Sequence, residues 1–121
     1  MRTIKKKENA QIDNNLLKRL PNSVPIAIDR IIKKFNPMKI ILFGSWARGD
    51  AKPDSDVDLL IVFQNIDDKR KVTINIGNEL SDLPLSKDIV VTTPEEIEKK
   101  RNIIGLILNP ALSEGKVLYE H

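Results

Sequence analysis

The chain contains no cysteine, and its single histidine is the last residue, His121. The lack of cysteine excludes disulfide bonds, thiolate zinc sites and thiol catalysis. The lack of an internal histidine excludes imidazole acid–base catalysis and most imidazole metal sites. Any catalysis must therefore depend on carboxylates, hydroxyl groups and cationic side chains.

Long apolar runs and a strong excess of one charge are also lacking. No apolar run approaches the roughly 20 residues of a membrane span, and no signal-peptide core precedes the domain. The net charge is +3 in 121 residues, which suits the binding of an anionic small molecule and is too weak to predict direct nucleic-acid binding. We therefore expect a cytoplasmic protein with one domain at 25–121 and an N-terminal extension at 1–24.

The N-terminal extension has two parts. A basic stretch contains Lys5, Lys6 and Lys7, and is either an arm for an acidic partner or a solvated, frayed terminus. The apolar residues Ile12, Leu16 and Leu20 then recur four apart. This spacing predicts a short amphipathic helix, which either docks on a partner or covers the core.

Two carboxylates dominate the segment 42–62, LFGSWARGDAKPDSDVDLLIV. Asp56 and Asp58 lead into the apolar run 59–62, which predicts a buried strand. Because strand side chains alternate, both carboxylates face the same way, with Cα atoms roughly 6.5–7 Å apart. Like charges this close are costly unless a cation lies between them. Hard oxygen ligands favour Mg²⁺, with Mn²⁺ as a substitute.

A second apolar run, 38–43, ends at Gly44 and Ser45. Glycine allows the backbone to approach a ligand closely or to adopt a positive φ. We expect Ser45 to cap a short helix that runs from Trp46 to Gly49 and presents free N–H groups to an anion. One strand end thus offers donors for a phosphate, and the next offers carboxylates for the metal on that phosphate. This combination is typical of metal-assisted phosphoryl or nucleotidyl transfer.

The remaining elements follow from periodicity and from helix-breaking residues. We predict helices from Pro25 to a stop at Asn36, over 67–80, and from Thr93, where a capping box begins. Strands are predicted at 38–43, 57–63, 88–91 and 116–119, with the third parallel to the second because a helix connects them. The fold class is therefore α/β (α+β), with a mixed sheet of three to four strands and helices packed on it. The last helix carries the apolar stripe Ile103, Ile104, Ile107 and Leu108 and is expected to kink or restart at Asn109-Pro110.

A third carboxylate is expected where the third strand begins. Asp88 lies there and converges with Asp56 and Asp58 if the two strands are neighbours in the sheet. The alternatives are that Asp88 is an ordinary strand-start residue, or that Asp82 in the preceding turn takes this role.

The motif resembles a known family. Its residues are Gly44, Ser45, Arg48, Gly49, Ser55, Asp56, Asp58 and Leu59, and they are similar to the signature of the DNA polymerase β-like nucleotidyltransferase superfamily. In particular, the chain resembles the minimal nucleotidyltransferases, often the antitoxin half of a HEPN–MNT pair. The resemblance implies the nucleotidyltransferase fold and two Mg²⁺ ions on Asp56, Asp58 and Asp88. It also implies that Gly44 and Ser45 hold phosphates of ATP or another nucleoside triphosphate.

Three residues near the motif have two interpretations each. Arg48 contacts the triphosphate or pairs with an acidic side chain such as Asp54. Ser55 contacts the nucleotide or, as a turn residue, bonds the backbone. Trp46 stacks on a base or a partner surface, or packs on the core.

The resemblance also implies a function and a partner. AMP from ATP would be transferred to a hydroxyl acceptor, a tyrosine of a HEPN-type ribonuclease toxin, within a homo- or hetero-oligomer that contacts no membrane. The alternatives are an antitoxin that acts by binding alone and a transferase that modifies a small molecule such as an antibiotic. The second alternative usually requires an additional substrate domain.

Overall fold

The computed structural model describes residues 10–100 and 114–121. Five strands and five helices lie in these ranges. They are β1 (Gln11–Ile12), α1 (Asn14–Leu17), α2 (Ser23–Phe35), β2 (Lys39–Phe43), α3 (Ser45–Arg48), β3 (Val57–Val62), α4 (Lys69–Glu79), β4 (Lys87–Thr92), α5 (Pro94–Lys100) and β5 (Lys116–Glu120).

The five strands form one mixed sheet in the order β1-β5-β2-β3-β4. β4 pairs in parallel with β3, as predicted from the helix that connects them, and the other pairings are antiparallel. The prediction of a mixed sheet with packed helices is confirmed, but the sheet has one strand more than the four that were expected at most. The additional strand is β1, which has only two residues and no strand signal of its own.

The predicted amphipathic helix over Ile12 to Leu20 is wrong in part. Ile12 pairs with Tyr119 in the sheet, and Asp13 ends this pairing because its carboxylate caps α1 by accepting from the Leu16 N–H at 2.9 Å. Leu16 and Leu20 are buried, so the apolar stripe covers the core. The three lysines at 5–7 and the predicted apolar stripe and kink at 103–110 lie outside the described residues.

The sheet separates two apolar clusters. The larger cluster lies between the sheet and helices α1, α2 and α4 and includes Leu59 and Ile61 of β3. The smaller cluster lies on the other face and includes Leu60 and Val62. This alternation is the period-two pattern of a strand buried on both sides.

The helix ends follow from local chemistry. Asn36 has a left-handed backbone (φ 53°), and its N–H donates to the Ile32 carbonyl, so α2 ends where the Asn-Pro pair predicted. At α5, the Glu96 N–H donates to the Thr93 hydroxyl at 3.2 Å, which is half of the predicted capping box. The Glu96 carboxylate instead accepts from the Thr92 hydroxyl at 2.6 Å. No helix in the described part of the chain is long and apolar enough to cross a bilayer.

Candidate active site

Gly44 brings the backbone at the end of β2 against a carboxylate of β3. Its φ of 73° and ψ of −156° are backbone angles that essentially only glycine adopts. A Cβ at Gly44 would overlap the Asp58 carboxylate, with the Cγ of Asp58 at 3.0 Å. The positive φ, one of the two uses of glycine expected here, is therefore present, and the side chain that the backbone approaches is that of Asp58.

Ser45 does not cap the short helix. It is the first residue of α3, Gly44 precedes that helix, and no side-chain hydrogen bond caps it. The N–H groups of Ala47 and Arg48 both donate to the Gly44 carbonyl at 3.0 Å. The turn is therefore held by the backbone, because the glycine can adopt angles that a serine at the same place could not.

Asp58 lies on a strand that is paired on both sides. Its Cα pairs with Asp88 in the parallel ladder and with Phe43 in the antiparallel one. Because Asp58 and Leu60 have the same parity along β3, Asp58 and Asp88 lie on the face of the smaller apolar cluster. The sheet register thus brings Asp58 and Asp88 together.

The electrostatics of Asp58 show the proximity of all three carboxylates. Partial burial raises the pKa of Asp58, and the negative charges of Asp88 and Asp56 raise it further, while Arg48 opposes this rise. A bound cation would reverse the repulsion among the three carboxylates.

Asp56 lies just before β3, on the surface. Its Oδ1 accepts a hydrogen bond from the Ser86 hydroxyl, and the neighbouring Val57 N–H donates to the Ser86 carbonyl at 2.9 Å. Ser86 was missed by the sequence reasoning. Its one signal is its position two residues before Asp88, which predicts the same side of a strand.

The donor set suits a hard divalent cation, but not as a cage made by the protein alone. Among residues 10–100 and 114–121, no three acidic or histidine side chains are arranged to hold a metal ion. Mg²⁺ is commonly held by one or two carboxylates together with waters and substrate phosphates. Asp56, Asp58 and Asp88 therefore fit a cation that arrives with a triphosphate.

The loop between α3 and β3 is stabilised by its own residues. The Ser55 hydroxyl accepts from the Lys52 N–H at 2.8 Å, which favours the turn interpretation of Ser55. The Trp46 indole N–H donates to the Ser55 carbonyl at 3.1 Å, and its ring packs against the larger cluster. Trp46 thus connects the loop to the core.

Arg48 and Asp82 each have partners that the sequence reasoning did not name. Arg48 pairs with Asp50 at 3.4 Å and with Glu114 at 3.7 Å, so Asp54 is not the partner that the structure shows for it. Asp82 pairs with Arg30 through both carboxylate oxygens, at 2.6 and 3.1 Å, and the Arg30 hydrogen bonds lower the pKa of Asp82. Asp82 is therefore committed to Arg30, and the assignment of Asp88 as the third carboxylate stays a prediction.

Fold and motif together define a nucleotidyltransferase-type domain. The family model described as "Nucleotidyltransferase domain" matches residues 25–110, which is more than half of the chain. The chain belongs to this nucleotidyltransferase family, and within it to the minimal nucleotidyltransferases.

Its relatives include two archaeal proteins. It is 37% identical over 86 residues to a protein of Methanocaldococcus jannaschii that is named as an inferred protein adenylyltransferase. This match covers 67% of this chain and 77% of the Methanocaldococcus protein. It is 50% identical over 34 residues to the protein adenylyltransferase MntA of Thermococcus cleftensis. The second match covers 28% of this chain and 34% of the Thermococcus protein.

Two solved structures share the fold. One is a crystal structure of an inferred nucleotidyltransferase from Sulfolobus solfataricus, with a TM-score of 0.59, 18% identity, and coverage of 84% of this chain and 80% of that one. The other is a toxin–antitoxin complex with AMP-PNP, with a TM-score of 0.50, 19% identity, and coverage of 79% and 73%.

Proposed function

We propose that the protein is a Mg²⁺-dependent nucleotidyltransferase that transfers AMP from ATP to a hydroxyl acceptor. The observation that carries the proposal is the position of Asp58, which lies against the Gly44 backbone and pairs in register with Asp88. The turn at the end of β2 and the two carboxylates near the starts of β3 and β4 thus lie at the same end of three neighbouring strands. Family membership supports the same chemistry.

Each residue then has a role. Asp56 and Asp58 hold two Mg²⁺ ions, with Asp88 as a further ligand to one of them, and Gly44 and Ser45 hold the β and γ phosphates. Bound Mg²⁺ supplies stabilisation of negative charge on the attacking and leaving oxygens. The acceptor oxygen forms a bond to the α-phosphorus as the bond to pyrophosphate breaks, and Asp88 takes the hydroxyl proton.

Arg48 is proposed as a secondary nucleotide contact, whereas the Ser55 hydroxyl is used within its own turn. Arg48 is about half exposed and its ion pairs, at 3.4 and 3.7 Å, are long. Exposed pairs of this kind contribute little to stability. Arg48 can therefore exchange its carboxylate partners for a phosphate at small cost.

The proposed acceptor is a tyrosine of a HEPN-type ribonuclease toxin, which AMP would block. Two relatives carry the name of protein adenylyltransferase, and a protein of the same fold was solved in a toxin–antitoxin complex with AMP-PNP. An antitoxin that acts by binding alone is the alternative. It is favoured by the lack of a preformed three-ligand metal cluster in the described residues.

Incubation with α-labelled ATP, Mg²⁺ and the candidate toxin tests the proposal. We expect label on the toxin with wild type, and at least a hundredfold less with Asp56→Asn or Asp58→Asn, in line with the loss of metal-ion catalysis. Asp67→Asn is the control, because Asp67 is also exposed but precedes α4. A tight complex without label would support the binding-only antitoxin, and equal labelling by all variants would exclude these carboxylates.

A further inference from the structure

Ser86 connects the beginnings of β3 and β4 through two different groups. Its carbonyl accepts from the Val57 N–H at 2.9 Å, which starts the parallel ladder. Its hydroxyl donates to Oδ1 of Asp56, the residue immediately before Val57. The side chain of Ser86 therefore holds the Asp56 carboxylate, and the backbone of Ser86 holds the start of β3.

Of the three carboxylates, Asp56 has the least support from the sheet. Asp58 and Asp88 are paired residues of β3 and β4, and Asp58 also lies against Gly44. Asp56 precedes the first residue of β3 and its side chain is exposed. Among the described residues, the hydrogen bond that the structure gives its carboxylate is the one from Ser86.

The direction of this hydrogen bond matters for a metal ligand. The serine hydroxyl donates, so Asp56 accepts as a carboxylate, and Oδ1 is the oxygen that is used. Oδ2 stays available for a cation. A hydrogen bond to one oxygen of a ligating carboxylate orients it and limits its rotamers, and loss of such a partner commonly weakens metal affinity about 10–100-fold.

We propose that Ser86 is a positioning residue that orients the Asp56 carboxylate for cation binding. The inference depends on the proposed function, because it assigns Asp56 as a ligand. Ser86 acts through Asp56 and contacts neither the nucleotide nor the acceptor. Threonine should serve in its place because it retains the hydroxyl, and its β-branched side chain suits the extended backbone that leads into β4.

The test measures cation binding without turnover. Mn²⁺ is titrated in the presence of AMP-PNP, and free Mn²⁺ is followed by electron paramagnetic resonance. Ser86→Ala should weaken Mn²⁺ binding by about tenfold, and Ser86→Thr should restore it to within about twofold of wild type. Ser81→Ala is the control. The Ser81 hydroxyl donates to the carbonyl of Asn78 in the last turn of α4, and it touches no carboxylate of the site.

Urea unfolding of the metal-free variants separates orientation from simple stability. We expect Ser86→Ala and Ser81→Ala to shift the midpoint by similar small amounts, because each loses one hydrogen bond of an exposed hydroxyl group. Wild-type-like Mn²⁺ binding by Ser86→Ala would overturn the inference and leave the proposed function intact. Failure of wild type itself to bind Mn²⁺ with AMP-PNP would overturn both.

Discussion

At the scale of single residues, the site depends on a position where only glycine fits. A side chain at Gly44 would have to adopt a φ of 73° and would overlap the Asp58 carboxylate. Two independent constraints therefore act on one residue. The two other glycines in residues 10–100 do not share both: Gly49 has a φ of 90° but open space where a Cβ would lie, and Gly77 has neither constraint.

Gly44→Ala should lower the free energy of unfolding by about 2 kcal/mol or more, from backbone strain and displacement of Asp58. Gly77→Ala is the matched control. It lies in α4 with nothing within 4 Å of an added Cβ, so it should raise the free energy of unfolding by about 0.5–1 kcal/mol. Chemical denaturation measures both. Equal effects of the two substitutions would contradict the role assigned to Gly44.

At the scale of elements, α4 and α5 are joined at their first turns by Glu96. Its carboxylate is bound by the Lys69 ammonium at 2.9 Å, the Lys100 ammonium at 3.2 Å and the hydroxyl of the buried Thr92. Burial by itself would raise the pKa of Glu96, but these hydrogen bonds outweigh it and lower the pKa to about 2. α5 is thereby fixed to α4.

A lowered pKa means that ionised Glu96 stabilises the fold. This stability is fully present above the ordinary glutamate pKa of 4.5 and is lost as the pH falls through about 2. Glu96→Gln should therefore cost about 1–2 kcal/mol near pH 7, after allowance for the exposed lysines, and progressively less as the pH falls towards 2. Unfolding measured across this range, with wild type as reference, gives the difference.

Glu95→Gln serves as the control for Glu96→Gln. Glu95 is in the same turn, but its side chain is 82% exposed and its pairing with Lys99 is 4.0 Å long. We expect no measurable change in stability from Glu95→Gln at any pH. A gap between wild type and Glu96→Gln that stays constant from pH 7 to pH 2 would show that the charge of Glu96 is not its cause.

At the scale of the whole molecule, the acidic site should weaken the fold when no cation is bound. Burial and neighbouring carboxylates raise the pKa of Asp58, so its charged form is disfavoured in the folded protein. Above the ordinary aspartate pKa this reduces stability, and the loss is recovered as the pH falls through the raised pKa. Stability is thus lower at the proposed ligand-binding site, as is common for functional sites.

Asp58→Asn should therefore raise the melting temperature of the metal-free protein at pH 7 and abolish stabilisation by Mg²⁺ with AMP-PNP. Wild type should gain about 2.7 kcal/mol at a ligand concentration about 100 times the dissociation constant. Differential scanning calorimetry measures both effects. Trp46 is the sole tryptophan and follows Ser45 in the chain, so its fluorescence emission provides a second measure of ligand binding. A ligand-induced shift in Asp58→Asn equal to that of wild type would contradict the assignment.

Local patterns in the sequence determined much of this molecule. The apolar run 59–62, the Asn36-Pro37 stop and the connecting helix before Asp88 predicted β3, the end of α2 and the parallel pairing. The motif predicted the nucleotidyltransferase family, which the comparison confirmed. These features depend on residues close together in the chain, or on a rule of connection that any such unit obeys.

Contacts between distant segments were decided by the tertiary structure alone. Ser86 donates a hydrogen bond to Asp56, 30 positions away in the chain, and Arg30 pairs with Asp82, 52 positions away. Gln11 and Ile12 form a strand because β5 lies beside them. No periodicity encodes such pairings, since each depends on how the sheet orders its strands. The residue types for the proposed chemistry could therefore be predicted from the sequence. The groups that orient them could not, because they are brought together only by the assembled sheet.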